Sequence, residues 1–182
     1  LASAGILTAA EREKAVEMAK SVPHMVNEHE DSQMSRQIFH FFESGSSVTV
    51  GRKDADPAPT IPLGGLSIQK QHAVITATEE GVIMLTPAAP NAKIHVNGDT
   101  ITGATQLKHR SRVVIGNNHA FLVVVPADAP EGNIDVKIEG EAEEVPEVIT
   151  FEFIVNEMNK AQVEAMAAAE AEREAVAMEE KA

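Results

Sequence analysis

Short apolar runs separated by turn residues fill the chain between Pro23 and Pro126. Valine, isoleucine and phenylalanine are frequent in the runs, and a glycine or an asparagine–glycine pair stands between several of them. Many short strands with frequent turns are typical of an all-β sandwich. The pattern predicts strands at residues 25–26, 38–42, 47–50, 60–63, 73–78, 82–86, 93–96, 113–115 and 121–125.

Two segments at the ends of the chain predict helices instead. In residues 8–20, Thr8 is a candidate N-cap and Glu11 stands three positions later, which is the spacing of a capping box. The apolar positions of this helix are weak, so we expect it to rest on a neighbour. Residues 150–182 contain no glycine or proline and predict a long helix that begins near Thr150. Its thin, alanine-rich stripe is compatible with a coiled coil and equally with a solvated helix.

The segment between the predicted sandwich and the last helix is acidic and contains proline and glycine. Like charges that repel each other predict an extended linker here. The alternating residues 134–138 predict one further small strand, for about ten in all. The predicted organisation is an N-terminal helical, neck-like extension (1–21), a β-sandwich (22–126), an acidic linker (127–148) and a C-terminal helix (149–182).

The composition and the motifs of the sequence argue against several classes of function. The chain has no cysteine, which excludes a disulfide framework and a thiolate metal site. Its seven histidines are scattered without the paired spacing of a zinc site, so we expect no metal. No apolar run approaches the roughly 20 residues of a membrane span, so we expect no membrane insertion. The sequence has neither a P-loop nor a nucleophile motif, and we therefore expect no enzymatic activity and no cofactor.

The net charge of −13 is unevenly distributed. Residues 1–47 carry −3, residues 128–147 carry −7 and residues 148–182 carry −5, whereas residues 48–127 carry +2. We expect no nucleic-acid binding from such an acidic chain, because that binding depends on neutralising phosphates. The mildly basic central block suits a module that receives anionic ligands, although +2 over this length is also ordinary surface variation.

Four motifs follow one another in the predicted sandwich: a Gly-Arg pair at a strand end, a His at a strand start, an Asn-Gly turn and a Gly at a strand end. They are Gly51-Arg52, His72, Asn97-Gly98 and Gly116. This order resembles forkhead-associated (FHA) domains. The resemblance implies a mainly β fold, a Greek-key-like sandwich that usually reads phosphothreonine.

Three further segments resemble the third, vesicle-transport subfamily of kinesins. They are Pro23–Asn27, Leu107–Phe121 with Asn118 and His119 near its end, and Ile149–Phe153. The resemblance implies a parent protein that moves on microtubules in the cytoplasm, or in an axoneme, and that is a homodimer. It implies that this chain is a protein-interaction module for dimerisation, autoinhibition or attachment of a cargo adaptor or microtubule-associated protein.

The resemblance also implies a phosphothreonine site. FHA domains hold the phosphate and the peptide with an Arg, a Ser hydroxyl and an Asn. Arg52 matches the Arg, but Gln69 stands at the Ser position and Ala92 at the Asn position, with Asn91 adjacent. Each lost donor costs about 1.5–3 kcal/mol, so we predict that phosphothreonine binding is degenerate. Flexible lysines, Lys53 and Lys70, could supply some compensating charge. The candidate phosphopeptide-loop residues are Arg52, Gln69, Lys70, Asn91 and Asn97.

Other residues of these motifs are predicted to be structural: Gly51, His72, Gly98, Gly116, Asn118 and His119. The basic cluster of Lys108, His109, Arg110 and Arg112 is predicted to be a solvated loop, with the acidic surface of tubulin or a phosphoprotein as an alternative contact. Two competing functions remain open at this point. One is a phosphothreonine-reading signalling adaptor, and the other is a structural microtubule component without motor activity.

Overall fold

The computed structural model describes residues 8–181. Within this range two helices and eleven strands occur in chain order. They are α1 (Ala9–Met18), β1 (His24–Glu28), β2 (Phe39–Phe41), β3 (Ser47–Arg52), β4 (Ile61–Leu63), β5 (Ala73–Ala77), β6 (Ile83–Pro87), β7 (Ile94–Val96), β8 (Asp99–Thr100), β9 (Thr105–Leu107), β10 (Arg112–Ile115), β11 (His119–Val124) and α2 (Phe151–Lys181).

The strands form two sheets. One contains six strands in the order β2-β1-β11-β10-β7-β8, and the other contains five in the order β4-β3-β5-β6-β9. The recorded pairs are antiparallel except β3 with β4, which run parallel. The predicted fold class, a mainly β sandwich flanked by two helices, is confirmed. The sequence pattern missed β8 and β9 because they are short and mostly polar.

Aliphatic side chains from both sheets fill the core between them. Alternate residues of β5 and β6 are buried, apart from the half-buried Pro87 at the end of β6, as expected for strands with one solvated face. All four residues of β10 are buried, and so are five of the six residues of β11. These two strands are therefore covered on both faces, which means that a third layer lies on the six-stranded sheet.

The C-terminal part of the chain supplies this third layer. The outer face of the six-stranded sheet is apolar and packs against residues from the segment before α2 and from the first turns of α2. This second cluster consists of Val26, Val114, Ala120, Leu122, Val145, Ile149, Ile154 and Met158. Each of the eight side chains is less than a tenth exposed. Burying them is worth about 25 cal/mol per Å² of apolar surface removed from water.

The segment that was predicted to be an extended linker is packed against the sandwich, which corrects that prediction. It begins with two short 3-10 turns, Pro126–Asp128 and Pro130–Gly132, and then crosses the six-stranded sheet without regular structure. The predicted strand at 134–138 does not form: residues 134–136 are in a turn and a bend, and residues 137–138 are irregular. Its acidic charges do not keep it extended, since the buried Arg110 and the half-buried Arg36 bind it, as described below.

The two helices begin as their N-caps predict. In α1 the Thr8 hydroxyl accepts from the amide of Glu11 and the Glu11 carboxylate accepts from the amide of Thr8, each at 3.1 Å. In α2 the Thr150 hydroxyl accepts from the amide of Phe153 at 3.2 Å. The first three turns of α2 pack on the sandwich, whereas residues 163–180 are exposed. Within the described range, neither helix has the length and apolar character needed to cross a membrane.

Candidate functional site

Three loops meet at one end of the sandwich: those that join β3 to β4, β4 to β5 and β6 to β7. They enclose an open cavity of about 470 Å³, here called the loop pocket. Its lining residues are Arg52, Ala55, Asp56, Pro57, Gln69, Lys70, Gln71, Ala88 and Ala89. The fold thus brings together three of the five candidate phosphopeptide-loop residues, namely Arg52, Gln69 and Lys70.

Gly51 lets the β4–β5 loop approach the end of β3. A Cβ atom at position 51 would lie 2.1 Å from the carbonyl oxygen of Lys70, so only glycine fits there. The amide of Arg52 donates to the carbonyl of Gln69 at 3.0 Å. This close contact between β3 and the β4–β5 loop places Arg52 and Lys70 in the lining of the same pocket.

His72 fastens the same loop from inside the protein. Its ring is fully buried. Nδ1 accepts from the amide of Gln69 at 3.0 Å, and Nε2 donates to the carbonyl of Lys93 at 2.9 Å. Burial, the largest cause, lowers the pKa of His72, which favours the neutral ring that these two bonds require. His72 therefore joins the β4–β5 loop to the start of β7 and does not face a ligand.

Gly116 and His119 hold the other end of this loop. Gly116 has a φ of +69°, and a Cβ atom there would lie 2.6 Å from the Ser67 hydroxyl. Nε2 of His119 donates to the carbonyl of Gly64 at 2.7 Å. Asn118 is exposed in the turn between β10 and β11. The turn after β10 is thus a support for the β4–β5 loop.

Asn91 lies outside the loop pocket. It lines a neighbouring cavity of about 550 Å³ that shares Ala88 and Ala89 with the loop pocket. The side chain of Ala92 is buried, 8% exposed. An amide at position 91 is therefore beside the loop pocket, and position 92 points into the protein.

Asn97 and Gly98 also lie away from the loop pocket. Oδ1 of Asn97 accepts from the amide of Arg112 at 2.9 Å. Gly98 has a φ of +89°, and a Cβ atom there would lie 2.8 Å from Cγ and 2.9 Å from the carbonyl oxygen of Glu157 in α2. The Asn-Gly turn is thus the surface on which α2 rests, and Asn97 is bound to β10.

The basic cluster contains the residues that sequence reasoning misplaced. Arg110, predicted to be solvated, is 0% exposed. Its Nε donates to Oε2 of Glu141 at 3.0 Å. Its terminal nitrogens donate to three backbone carbonyls, those of Ile134 at 2.8 Å, Glu147 at 2.7 Å and Pro146 at 2.5 Å. One guanidinium therefore binds four residues of the segment before α2.

Two more arginines bind the C-terminal segment. Arg112 forms a two-bond ion pair with Glu157 of α2, and Arg36 donates to Glu28, to Asp135 and to the carbonyl of Ile149. In the predicted basic cluster, His109 is buried as well, and only Lys108 is exposed. The match between the basic residues 108–112 and the acidic residues 128–147 is a sequence signal for the Arg110–Glu141 pair alone.

Comparison with known protein families matches residues 48–116 to the FHA domain. The chain is 36% identical over 110 residues to the kinesin-like protein unc-104 of Caenorhabditis elegans, which covers 60% of the chain and 7% of that protein. It is 31% identical over 146 residues to the kinesin-like protein KIF14 of Homo sapiens, covering 80% of the chain and 9% of that protein. The chain thus spans less than a tenth of each of these relatives.

Among solved structures, the crystal structure of the MEK1 FHA domain superposes with a TM-score of 0.50 at 15% sequence identity. The superposition covers 62% of this chain and 97% of that one. At this level of identity the likeness concerns the fold alone.

Proposed function

We propose that this chain, whose sandwich is an FHA domain, is a non-catalytic protein-interaction module of a kinesin-like protein. The family match at residues 48–116 and the similarity to kinesin-like proteins support this proposal. Its place in the cell would then be the microtubule cytoskeleton of the cytoplasm. The module would act beside a motor domain, in dimerisation, autoinhibition or attachment of a cargo adaptor.

We further infer that phosphothreonine recognition by this domain is weak. The observation that carries this inference is the content of the loop pocket. Arg52 and Lys70 line it, but Gln69 replaces a hydroxyl donor, and both candidate asparagines lie outside it. Directional recognition of a phosphate needs fixed donors, and a flexible lysine is a poor substitute for them.

Titration of a phosphothreonine peptide library by fluorescence anisotropy tests this inference. We expect no saturable binding below about millimolar peptide, which corresponds to a binding free energy weaker than about −4 kcal/mol. The Arg52→Ala variant serves as the control for site-specific binding. Micromolar binding that this variant abolishes would contradict the inference and would make the chain a phosphorylation-regulated adaptor.

The exposed part of α2 supports self-association as the mode of interaction. From residue 163 to residue 180 the side chains are exposed, and Val163 and Met166 are 65% and 70% exposed. Side chains of this size that lie free on a helix are suited to a partner helix. We propose that this part of α2 pairs with a second copy in the parent protein.

A further inference from the structure

We propose that Asp54 weakens the binding of phosphate-bearing ligands in the loop pocket. Its carboxylate holds the Arg52 guanidinium that such a ligand would otherwise bind. The proposal rests on the proposed function and deepens it. It adds a cause of weak phosphate recognition that differs in kind from a missing donor at Gln69 or Ala92. A missing donor removes attraction, whereas Asp54 adds an internal competitor and a repulsive charge.

A tight turn places the Asp54 carboxylate on Arg52. The amide of Ala55 donates to the carbonyl of Arg52 at 2.9 Å, which closes a four-residue turn with Asp54 at its third position. Nε of Arg52 donates to Oδ1 of Asp54 at 2.7 Å, the length of a charge-assisted hydrogen bond. A phosphate that approached this edge of the guanidinium would have to displace the carboxylate or share the arginine with it.

The charges around the loop pocket cancel. Arg52 and Lys70 contribute two positive charges, and Asp54 and Asp56 contribute two negative ones. The hydrogen bond from Arg52, with a smaller contribution from the charge of Lys70, lowers the pKa of the Asp54 carboxyl, so this side chain stays ionised at neutral pH. A phosphate dianion that enters the loop pocket therefore meets no net positive charge from these four side chains.

Asp56 offers a comparison within the same loop. Like Asp54 it carries one negative charge, and it lines the loop pocket directly. Within residues 8–181, Arg52 forms its ion pair with Asp54 and not with Asp56. Replacing either aspartate by asparagine changes the net charge equally, but only the Asp54 replacement removes the charge that is paired with the Arg52 guanidinium. The Asp54 side chain is 68% exposed, so the change to asparagine removes no buried contact.

The test measures dissociation constants for N-acetyl-phosphothreonine N-methylamide and for inorganic phosphate by NMR chemical-shift titration of the full chain. Wild type, Asp54→Asn, Asp56→Asn and the double variant Arg52→Ala/Asp54→Asn are compared at one low salt concentration. We expect Asp54→Asn to bind the phosphothreonine analogue about tenfold more tightly than wild type, since one neighbouring negative charge is removed and the neutral amide oxygen competes less strongly for Arg52. Asp56→Asn should gain less than about threefold by the same reasoning.

The double variant decides whether the gain passes through Arg52, and it should bind no more tightly than wild type. An Asp54→Asn variant that matches wild type, that matches Asp56→Asn, or that keeps its gain without Arg52 would overturn the proposal. A gain for inorganic phosphate that equals the gain for the phosphothreonine analogue would show that the phosphate group alone is recognised, which still supports the role of Asp54. Micromolar binding by wild type would contradict the inference that phosphothreonine recognition is weak. The ratio of the dissociation constants of wild type and Asp54→Asn would then still test the role of Asp54.

Discussion

Arg112 on β10 and Glu157 on α2 form an ion pair through two hydrogen bonds, from Nε to Oε1 at 3.0 Å and from Nη2 to Oε2 at 2.6 Å. The Arg112 guanidinium also lies 5.8 Å from the centre of the Phe153 ring. The two charged side chains are only 8% and 18% exposed. This pair fixes the first turns of α2 on the sheet, so the direction in which the exposed part of α2 leaves the domain is set by a specific contact.

Replacing Glu157 by glutamine should destabilise the protein. The change leaves the Arg112 charge without its partner in a mostly buried position, and we expect a loss of about 2–3 kcal/mol in the free energy of unfolding. Urea denaturation followed by circular dichroism measures this loss. The control is Glu152→Gln, since Glu152 is exposed in the same helix. Equal stability of the two variants would show that the ion pair does not hold α2.

Replacing Arg110 by methionine should release the segment before α2. The change leaves three carbonyls and the Glu141 carboxylate buried without their donor, which should cost about 3–5 kcal/mol. Hydrogen exchange of the amides in residues 134–149 should become much faster than in wild type. The matched control is Lys108→Met in the same loop, where the side chain is exposed. Unchanged exchange in the Arg110 variant would contradict the role assigned to this residue.

Replacing Gly51 by alanine should distort the loop pocket. The added Cβ atom would overlap the carbonyl of Lys70, and relieving this overlap requires the backbone of the β4–β5 loop to move. We expect a loss of about 1–3 kcal/mol and chemical-shift changes centred on residues 69–72. Gly103→Ala is the control, because nothing lies within 4 Å of a Cβ atom there. Similar melting temperatures for the two variants would argue against a tight contact at Gly51.

Stability should fall as the pH is lowered below about 6.5. Burial lowers the pKa of His40 to about 4 from its ordinary 6.5, so below pH 6.5 the unfolded chain binds a proton that the folded protein resists. The stability that the neutral His40 side chain contributes is fully present above pH 6.5 and is lost as the pH falls from 6.5 to 4. The total loss in the free energy of unfolding is about 3 kcal/mol.

His40→Phe should flatten this dependence, because the phenyl ring can keep the contact with Phe121, whose ring centre is 5.7 Å from that of His40. Urea midpoints between pH 7.5 and 4.5 measure the slope. His29→Gln, a change at an exposed position, is the control. The slope of His40→Phe should still be positive, since burial also lowers the pKa of His24, His72, His95 and His109. A slope equal to that of wild type would exclude His40 as a contributor.

Ending the chain after Gln162 should abolish self-association and leave the domain folded. Ile154 and Met158 remain in place, and they are the α2 side chains that the sandwich buries. Sedimentation equilibrium should give a mass that rises with concentration for the full chain and stays monomeric for the shortened one. A monomeric full chain at all concentrations would contradict the proposed pairing of residues 163–180. Ending the chain at 150 instead should expose the outer face of the six-stranded sheet and cause aggregation.

Local patterns were sufficient for much of the fold. The capping box at Thr8 and the alternation in β5 and β6 each depend on residues close in sequence, so they could be predicted without knowing the rest of the protein. Arg52, Gln69 and Lys70 could be grouped because the order of short motifs resembles FHA domains. Asn97 could not be placed by the same reasoning, because its partner is the backbone of Arg112, and its turn is covered by a helix some 60 residues further on.

The sequence by itself determined that the chain is a β-sandwich with a helix at each end, because strand, turn and cap signals are short-range. Only the tertiary structure decided the position of the acidic segment and the role of the basic cluster. Charge counting treats a run of acidic residues as self-repelling and a run of basic residues as solvated. In the folded protein Arg110 and Arg112 bind the C-terminal segment, and burial away from water makes these opposite charges a means of attachment.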